Sequence, residues 1–175
     1  MAAGPVAGAH QPRRTVRMAD ALESLNGLIV PLAEQPLLLP NVAVAELVGY
    51  RLTQPAEQGP DWFLGWTRWR EQQVPLIDPE RLLQQKPLTT ERPAPRVLVL
   101  NALGRHAGLG FIGLRVYGIP RSRKVLRGEI ETAGPASTYV QQPVHLAEES
   151  QALLIPDLLA IEQSLVEAGL VNARA

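Results

Sequence analysis

The sequence predicts a mainly all-β fold, built as a barrel or a sandwich. Its apolar residues fall into short runs bounded by Gly, Pro, Asn or Asp, a pattern typical of strands. Its 16 prolines favour loops and strand edges over long helices. Clear helical spacing is confined to the C-terminal end. Several short strands at close spacing are typical of barrels and sandwiches.

The predicted elements follow from these runs. A short helix is predicted at residues 19–25, with Asp20 in its first turn. The C-terminal helix is predicted to open at Pro156 and Asp157 and to end near Gly169, because glycine commonly caps a helix. We expect this helix to pack on a barrel edge. Its apolar residues are Leu158, Leu159, Ile161, Leu165 and Val166, and the predicted strands are residues 28–32, 37–39, 42–48, 62–69, 74–77, 97–100, 109–116 and 153–155.

One domain is expected for a chain of 175 residues. Residues 1–17 are rich in Ala, Gly and Pro and lack a periodic apolar pattern, which predicts an unstructured leader. Met18 is then a candidate natural start, the domain covers residues 18–170, and residues 171–175 form a tail. The prolines within residues 84–95 predict an exposed loop between two halves of the domain.

Composition excludes several classes of function. Lys plus Arg and Asp plus Glu both number 17, so no net charge favours nucleic acid or an anionic membrane surface as a partner. The absence of cysteine excludes disulfides, thiolate metal sites and cysteine nucleophiles. No apolar run reaches the roughly 20 residues that a membrane-spanning helix needs. We therefore expect a cytoplasmic protein without direct membrane insertion.

The sequence contains no recognisable catalytic constellation. His10, His106 and His145 lie far apart and lack metal-ligand spacing. The glycines between residues 104 and 113 resemble a phosphate-binding loop, but no helix or lysine follows them, so we interpret them as bends of a barrel. We predict no catalytic residue, no metal and no cofactor. A small β-barrel enzyme or ligand-binding module remains the alternative.

Residues 65–78 predict a docking surface. In an extended segment Trp66, Arg68 and Arg70 lie on one side, while Thr67 and Trp69 lie on the other. Trp and Arg are enriched among residues that dominate binding, because Trp buries a large rigid area and Arg offers several donors. The alternative for each tryptophan is a place in the core.

Four segments, in order, resemble the CheW-like family of coupling proteins. The strongest resemblance is to the family signature G-x-x-x-[LIV]-R-G-x-[IV]-[VL]-P-[LIV]-[LIV]-D-L. Together the segments cover roughly residues 28–170. They are Gly65 with Arg70 and Val74-Pro75-Leu76-Ile77-Asp78, an earlier strand at residues 44–48, a later strand at residues 112–119, and the closing strand and helix at residues 153–159.

This resemblance implies two small SH3-like five-stranded β-barrel subdomains that share a core. It also implies a noncatalytic adaptor that couples chemoreceptors to a chemotaxis histidine kinase. The expected partners are the regulatory domain of that kinase and the cytoplasmic tip of a methyl-accepting chemoreceptor, in membrane-associated receptor arrays. Within the family, the chain most resembles the accessory ChpC-type members of pilus chemosensory systems, which implies a role in twitching motility.

The resemblance also assigns residue roles. Arg70 matches an arginine near the family's receptor and kinase contacts, and its donors suit a partner carboxylate, with an internal salt bridge as the alternative. Val44 and Glu46 match a strand beside the receptor groove. Val44 would supply apolar contact or core packing, and Glu46 a partner bond or a charge that protects a strand edge. The expected partner-binding residues are Val44, Glu46, Trp66, Arg68, Trp69 and Arg70.

Three further residues are expected to be structural. Gly65 would allow a close backbone approach, and Pro75 would mark a strand edge. Asp78 would cap a turn or the short helix around residues 80–83. Glu71 stands where the family has glycine, so a wider hairpin is expected.

Other departures from the family pattern suggest altered partner choice. Trp66, Arg68 and Trp69 replace smaller apolar residues and enlarge the surface. Tyr117 stands in place of a common Asp, and Pro79 follows Asp78 where the family often has Leu.

Overall fold

The computed structural model describes residues 24–85 and 94–170. The predictions for residues 1–17, for residues 171–175, for most of the helix at residues 19–25 and for the middle of the loop at residues 84–95 lie outside the described residues. The predicted helix is wrong at its last residue, because Leu25 already begins the first strand and pairs with Val125.

The described elements are short strands with two α-helices. The strands are β1 (Leu25–Val30), β2 (Leu37–Pro40), β3 (Val44–Gly49), β4 (Gln54–Pro55), β5 (Phe63–Trp69), β6 (Gln72–Ile77), β7 (Arg96–Asn101), β8 (Phe111–Val116), β9 (Arg121–Val125), β10 (Ile130–Thr132), β11 (Val140–Leu146) and β12 (Leu153–Pro156). The helices are α1 (Pro79–Leu82) and α2 (Leu158–Glu167), and short 3-10 turns precede β3 (Asn41–Ala43) and β10 (Arg127–Glu129).

Within the described ranges these strands form two six-stranded sheets. Subdomain A has the order β10-β11-β12-β2-β1-β9, and subdomain B has the order β3-β7-β8-β6-β5-β4. Neighbouring strands are antiparallel except at β12–β2 and β6–β8. Subdomain B is one continuous stretch of chain, whereas subdomain A combines the first two strands with the last four. Each sheet has one strand more than the resemblance implies, namely the short β4 and β10.

The apolar residues of the described chain form three clusters. One lies within subdomain A and includes Ile29, Val144 and Leu153. A second lies within subdomain B and includes Trp69 and Val97. The third and largest joins both sheets and α2, so the two subdomains share it. This architecture confirms the predicted mainly all-β fold with two barrel-like subdomains, a shared core and a C-terminal helix.

Helix α2 packs into this shared core. Asp157 caps its first turn by accepting a hydrogen bond from the Ala160 N–H at 3.1 Å, and Leu158, Ile161 and Leu165 are buried in the shared cluster. The predicted helix is confirmed, and its buried apolar residues belong to the cluster that both sheets share. Leu159, which the sequence placed on the apolar face of the helix, is 54% exposed.

Each predicted strand overlaps an observed one, and the missed strands are β4, β9, β10 and β11. In β9 only Val125 is buried, and β10 is exposed throughout, so neither contains an apolar run. In β11 the buried residues alternate with polar ones around Pro143, and a register shift interrupts the pattern.

Pro75 lies in an interior strand, so the prediction that it marks a strand edge is wrong. Strand β6 is placed between β5 and β8. Pro75 pairs with Trp66 of β5, and the pairing of β6 with β8 occupies only Leu76 and Ile77. Pro75, which has no backbone N–H, therefore lies just before the residues of β6 that pair with β8.

Candidate partner-binding surface

The β5–β6 hairpin carries most of the predicted binding residues. Trp69 pairs with Gln72, so Arg70 and Glu71 alone form its turn. Both have positive φ values, 47° for Arg70 and 63° for Glu71. A two-residue turn of this hand matches the twist of the flanking strands. The expected wider hairpin is therefore wrong: the turn stays tight although neither residue is glycine, at a backbone cost of about 1–2 kcal/mol for each.

Trp69, Glu46, Arg70 and Phe111 form a contact cluster that we call the barrel-mouth cluster. The Trp69 Nε1–H donates a hydrogen bond to Glu46 Oε2 at 2.7 Å. The Arg70 guanidinium lies over the Trp69 ring, 4.5 Å from its centroid, and its Nη2 is 3.8 Å from the same Glu46 oxygen. The Phe111 ring contacts the Trp69 ring edge-on, with ring centroids 4.6 Å apart. Glu46 thus links β3 to the hairpin.

The exposure of these residues differs sharply. Trp69 is only 7% exposed and belongs to the cluster inside subdomain B. The side chains of Arg70 and Glu46 are 69% and 44% exposed. Trp69 therefore presents almost no surface itself, and Arg70 and Glu46 form the outer layer above it.

Trp66 and Val44 lie on the other side of subdomain B. Both are half-buried and pack against the shared core. The Trp66 ring meets Phe63 edge-on, with centroids 5.6 Å apart. The alternation of exposed and buried residues along β5 places Trp66 and Arg68 on the face opposite Thr67 and Trp69. The structure thus brings Glu46, Trp69 and Arg70 together, and it places Val44 and Trp66 apart from them.

Arg68 and Glu71 are exposed residues of the same hairpin. The Arg68 backbone N–H donates to Thr53 Oγ1 at 3.0 Å, which ties β5 to the segment before β4. Within residues 24–85 and 94–170, neither the Arg68 nor the Glu71 side chain has a hydrogen bond or an ion pair. Both charges therefore face solvent, without a partner in the described part of the chain.

Gly65 sits where β4 crosses close to β5. Its φ is 131°, and a Cβ at this position would lie 2.2 Å from the Gln54 carbonyl oxygen and 2.7 Å from the Ala56 nitrogen. Such distances are far below van der Waals contact, so only glycine fits without movement of the backbone.

Asp78 joins the end of β6 to helix α1. Its Oδ1 accepts hydrogen bonds from the backbone N–H groups of Glu80 and Arg81, and Pro79 occupies the first helical position. Its Oδ2 accepts a hydrogen bond from Arg115 Nη2 at 2.7 Å. Sequence reasoning did not single out Arg115, although an arginine between the buried Leu114 and Val116 is a signal that a buried acid lies nearby.

Glu162 is a second residue that sequence reasoning did not single out. It is fully buried on α2, and its carboxylate accepts hydrogen bonds from the backbone N–H groups of Leu103 and Gly104 at 3.0 and 2.9 Å. It thereby ties the C-terminal helix to the loop between β7 and β8. Its partners are backbone groups 59 and 58 residues away, which no local sequence pattern reveals.

Other features of the described residues bear on the enzymatic alternative. A cavity of about 430 Å³ near Leu83 and Pro143 is lined by apolar and neutral polar residues, with Tyr139 as its titratable group. No group of three or more His, Asp or Glu residues in the described chain could hold a metal ion. No helix in that part of the chain is long and apolar enough to cross a membrane.

Two barrel-like subdomains on a shared core, with Arg70 and Glu46 exposed above the buried Trp69, define a small β-barrel domain with a candidate protein-binding surface. The profile of the CheW-like domain family matches residues 26–165, and the chain therefore belongs to the CheW-like family. This is a family of noncatalytic scaffolds, and membership supports a chemotaxis coupling adaptor.

The fold comparison agrees with this assignment. The chain is similar to the crystal structure of the scaffolding protein TtCheW from Thermoanaerobacter tengcongensis, with a TM-score of 0.62 and 18% sequence identity. The alignment covers 77% of this chain and 89% of that chain. No curated protein matches this chain. The predicted family and fold are confirmed.

Proposed function

We propose that this protein is a noncatalytic adaptor that couples a chemoreceptor to a chemotaxis histidine kinase. The observation that carries the proposal is the match of the CheW-like domain to residues 26–165. Its partners in this proposal are the regulatory domain of the kinase and the cytoplasmic tip of the receptor. The setting is a pilus-type chemosensory system that controls twitching motility, in the cytoplasm beside receptor arrays.

The proposed binding surface is centred on the barrel-mouth cluster. Arg70 and Glu46 combine exposure with mutual contact, and the buried Trp69 ring supports them from beneath. Such an arrangement, with charged groups over a rigid aromatic base, is typical of residues that dominate binding. Arg68 adds an exposed charge on the opposite face of β5, where Val44 and Trp66 supply apolar contacts. Gly65, Pro75 and Asp78 hold the backbone that carries these residues.

Calorimetric titration tests the proposal. The wild-type protein is titrated with the regulatory domain of each chemotaxis kinase encoded in the same genome, and separately with a receptor tip fragment. We expect micromolar binding to the kinase domain, and at least about tenfold weaker binding for Arg70→Ala, because the loss of a central Arg typically costs more than about 1 kcal/mol. Lys124→Ala is the matched control, since Lys124 is an exposed cation on β9 of the other subdomain.

The outcomes separate the parts of the proposal. Binding only to a kinase of a flagellar system would overturn the pilus-type setting, and binding only to the receptor fragment would overturn the kinase contact. No binding to any kinase domain or receptor fragment would refute the adaptor function.

A further inference from the structure

We propose that Arg68 and Glu71 select the protein partner of the β5–β6 hairpin, and that Arg70 is a positioning residue. The partner that fits carries a carboxylate opposite Arg68 and a cationic group opposite Glu71. This inference rests on the proposed adaptor function. It divides the residues of the proposed binding surface into those that contact the partner and those that hold the contacting residues in place.

Arg70 makes its contacts within the protein. Its guanidinium lies 4.5 Å from the centroid of the Trp69 ring, and its Nη2 is 3.8 Å from Glu46 Oε2. The same Glu46 oxygen accepts the Trp69 indole N–H. Arg70 therefore covers the indole and adds a positive charge beside its acceptor, an arrangement that fixes Trp69 and Glu46.

Arg68 and Glu71 differ from Arg70 in this respect. Both are exposed, and within the described residues neither side chain has a hydrogen bond or an ion pair. Only Trp69 and Arg70 separate them in the chain, so a positive and a negative charge both belong to the end of the hairpin. Each keeps its full capacity for an external partner.

The conformation of Glu71 supports a functional use. Its φ of 63° is unfavourable for a residue with a Cβ, and glycine would adopt it freely. Among the residues that the structure describes, no hydrogen bond or ion pair of the Glu71 side chain offsets this strain. The strand pairing holds the turn in this conformation, and non-glycine residues in such strained conformations are enriched at functional sites. The strained turn thus presents the Glu71 carboxylate to solvent, where a partner can bind it.

Opposite charges on one hairpin also discriminate between partners. The planar guanidinium of Arg68 suits a carboxylate, and the Glu71 carboxylate suits Lys or Arg. A partner with two like charges at these places meets repulsion at one of them, which lowers its affinity. A hairpin in which the charge at Arg68 or Glu71 is reversed should therefore bind the natural partner with lower affinity.

The experiment compares charge reversals with changes at Arg70. The probe is the kinase regulatory domain, titrated calorimetrically into Arg68→Glu, Glu71→Lys, Arg70→Ala and Arg70→Lys variants at low and high salt. The second readout is the Trp69 indole N–H signal by NMR in the absence of partner, assigned with Trp69→Phe, because the chain contains three tryptophans. Arg68→Gln and Glu71→Gln serve as milder versions.

We expect each charge reversal to weaken binding by about tenfold or more at low salt, with a smaller effect at high salt, and to leave the indole signal unchanged. Arg70→Ala should shift the indole signal, and Arg70→Lys should restore both the signal and most of the affinity. The inference is overturned if both reversals bind within twofold of wild type, or if Arg70→Lys loses binding while its indole signal is unchanged. Failure of the wild-type protein to bind would instead refute the adaptor function.

Discussion

Replacement of Glu71 by glycine should stabilise the protein. Glu71 occupies the second position of a two-residue turn with φ 63°. An L-residue in this left-handed region costs about 1–2 kcal/mol. Glycine avoids that cost but loses about 0.5–1 kcal/mol more through backbone entropy on folding. The difference spans about 0–1.5 kcal/mol, and its middle predicts a net stabilisation of about 0.5–1 kcal/mol.

Thermal and urea denaturation measure this effect. For a protein of this size, about 1 kcal/mol corresponds to about 2–4 °C in Tm, so we expect Glu71→Gly to raise Tm by about 1–4 °C. Glu71→Ala is the matched control, since it removes the same charge but retains a Cβ at the strained position. It should be no more stable than wild type.

The reasoning about the turn fails if Glu71→Gly and Glu71→Ala have equal stability. Equal gains in both would mean that loss of the carboxylate, and not relief of backbone strain, is responsible. If the carboxylate also serves binding, the stabilised glycine variant should bind the kinase domain more weakly, which separates the two effects of one substitution.

Three other substitutions test the packing. Gly65→Ala should destabilise the protein by about 2–4 kcal/mol because its Cβ meets backbone atoms, whereas Gly49→Ala, with open space around its Cα, should lie within about 0.5 kcal/mol of wild type in urea denaturation. Glu162→Ala should cost about 2–4 kcal/mol by leaving two loop N–H groups without an acceptor, and hydrogen exchange of those two amides should accelerate, less so in Glu162→Gln. Leu165→Ala should lower the free energy of unfolding by about 2–5 kcal/mol, while the exposed Leu159→Ala should change it by less than about 0.5 kcal/mol.

The sequence predicted those strands in which a run of apolar residues is buried. Strands such as β7, whose residues 97–100 are all buried, have a continuous apolar signal. Strand β9 has one buried residue, so its place in the sheet depends on pairing with β1 and leaves no apolar run. Three of the four missed strands, β4, β9 and β10, lie at a sheet edge and have few or no buried residues. The fourth, β11, lies inside its sheet and was missed because its buried residues are interrupted by polar residues and a register shift.

The candidate site was predicted less completely, for a physical reason. The residue types along β5 and β6 indicated a surface, but the contact of Glu46 with Trp69 depends on how β3 is placed beside the hairpin. The tight turn was missed because a Gly-free sequence favours a wider loop, and the strand pairing overrides that preference here. The contacts of Glu162 and Arg115 cross the fold and depend on tertiary packing alone.

The order of strands in the chain sets the order in which the protein can be assembled during synthesis. Residues 44–116 contain every strand of subdomain B, so this sheet can form before the chain is complete. Strands β1 and β2 emerge first from the ribosome, yet β1 pairs with β9 and Leu37 of β2 pairs with Leu154 of β12. Closing so long a loop is slow, because its entropy must be lost before the contacts form. Strand β2 therefore waits for the last part of the chain, and a ribosome that stalls before residue 154 releases a product in which β2 pairs with β1 but lacks its second neighbour, β12.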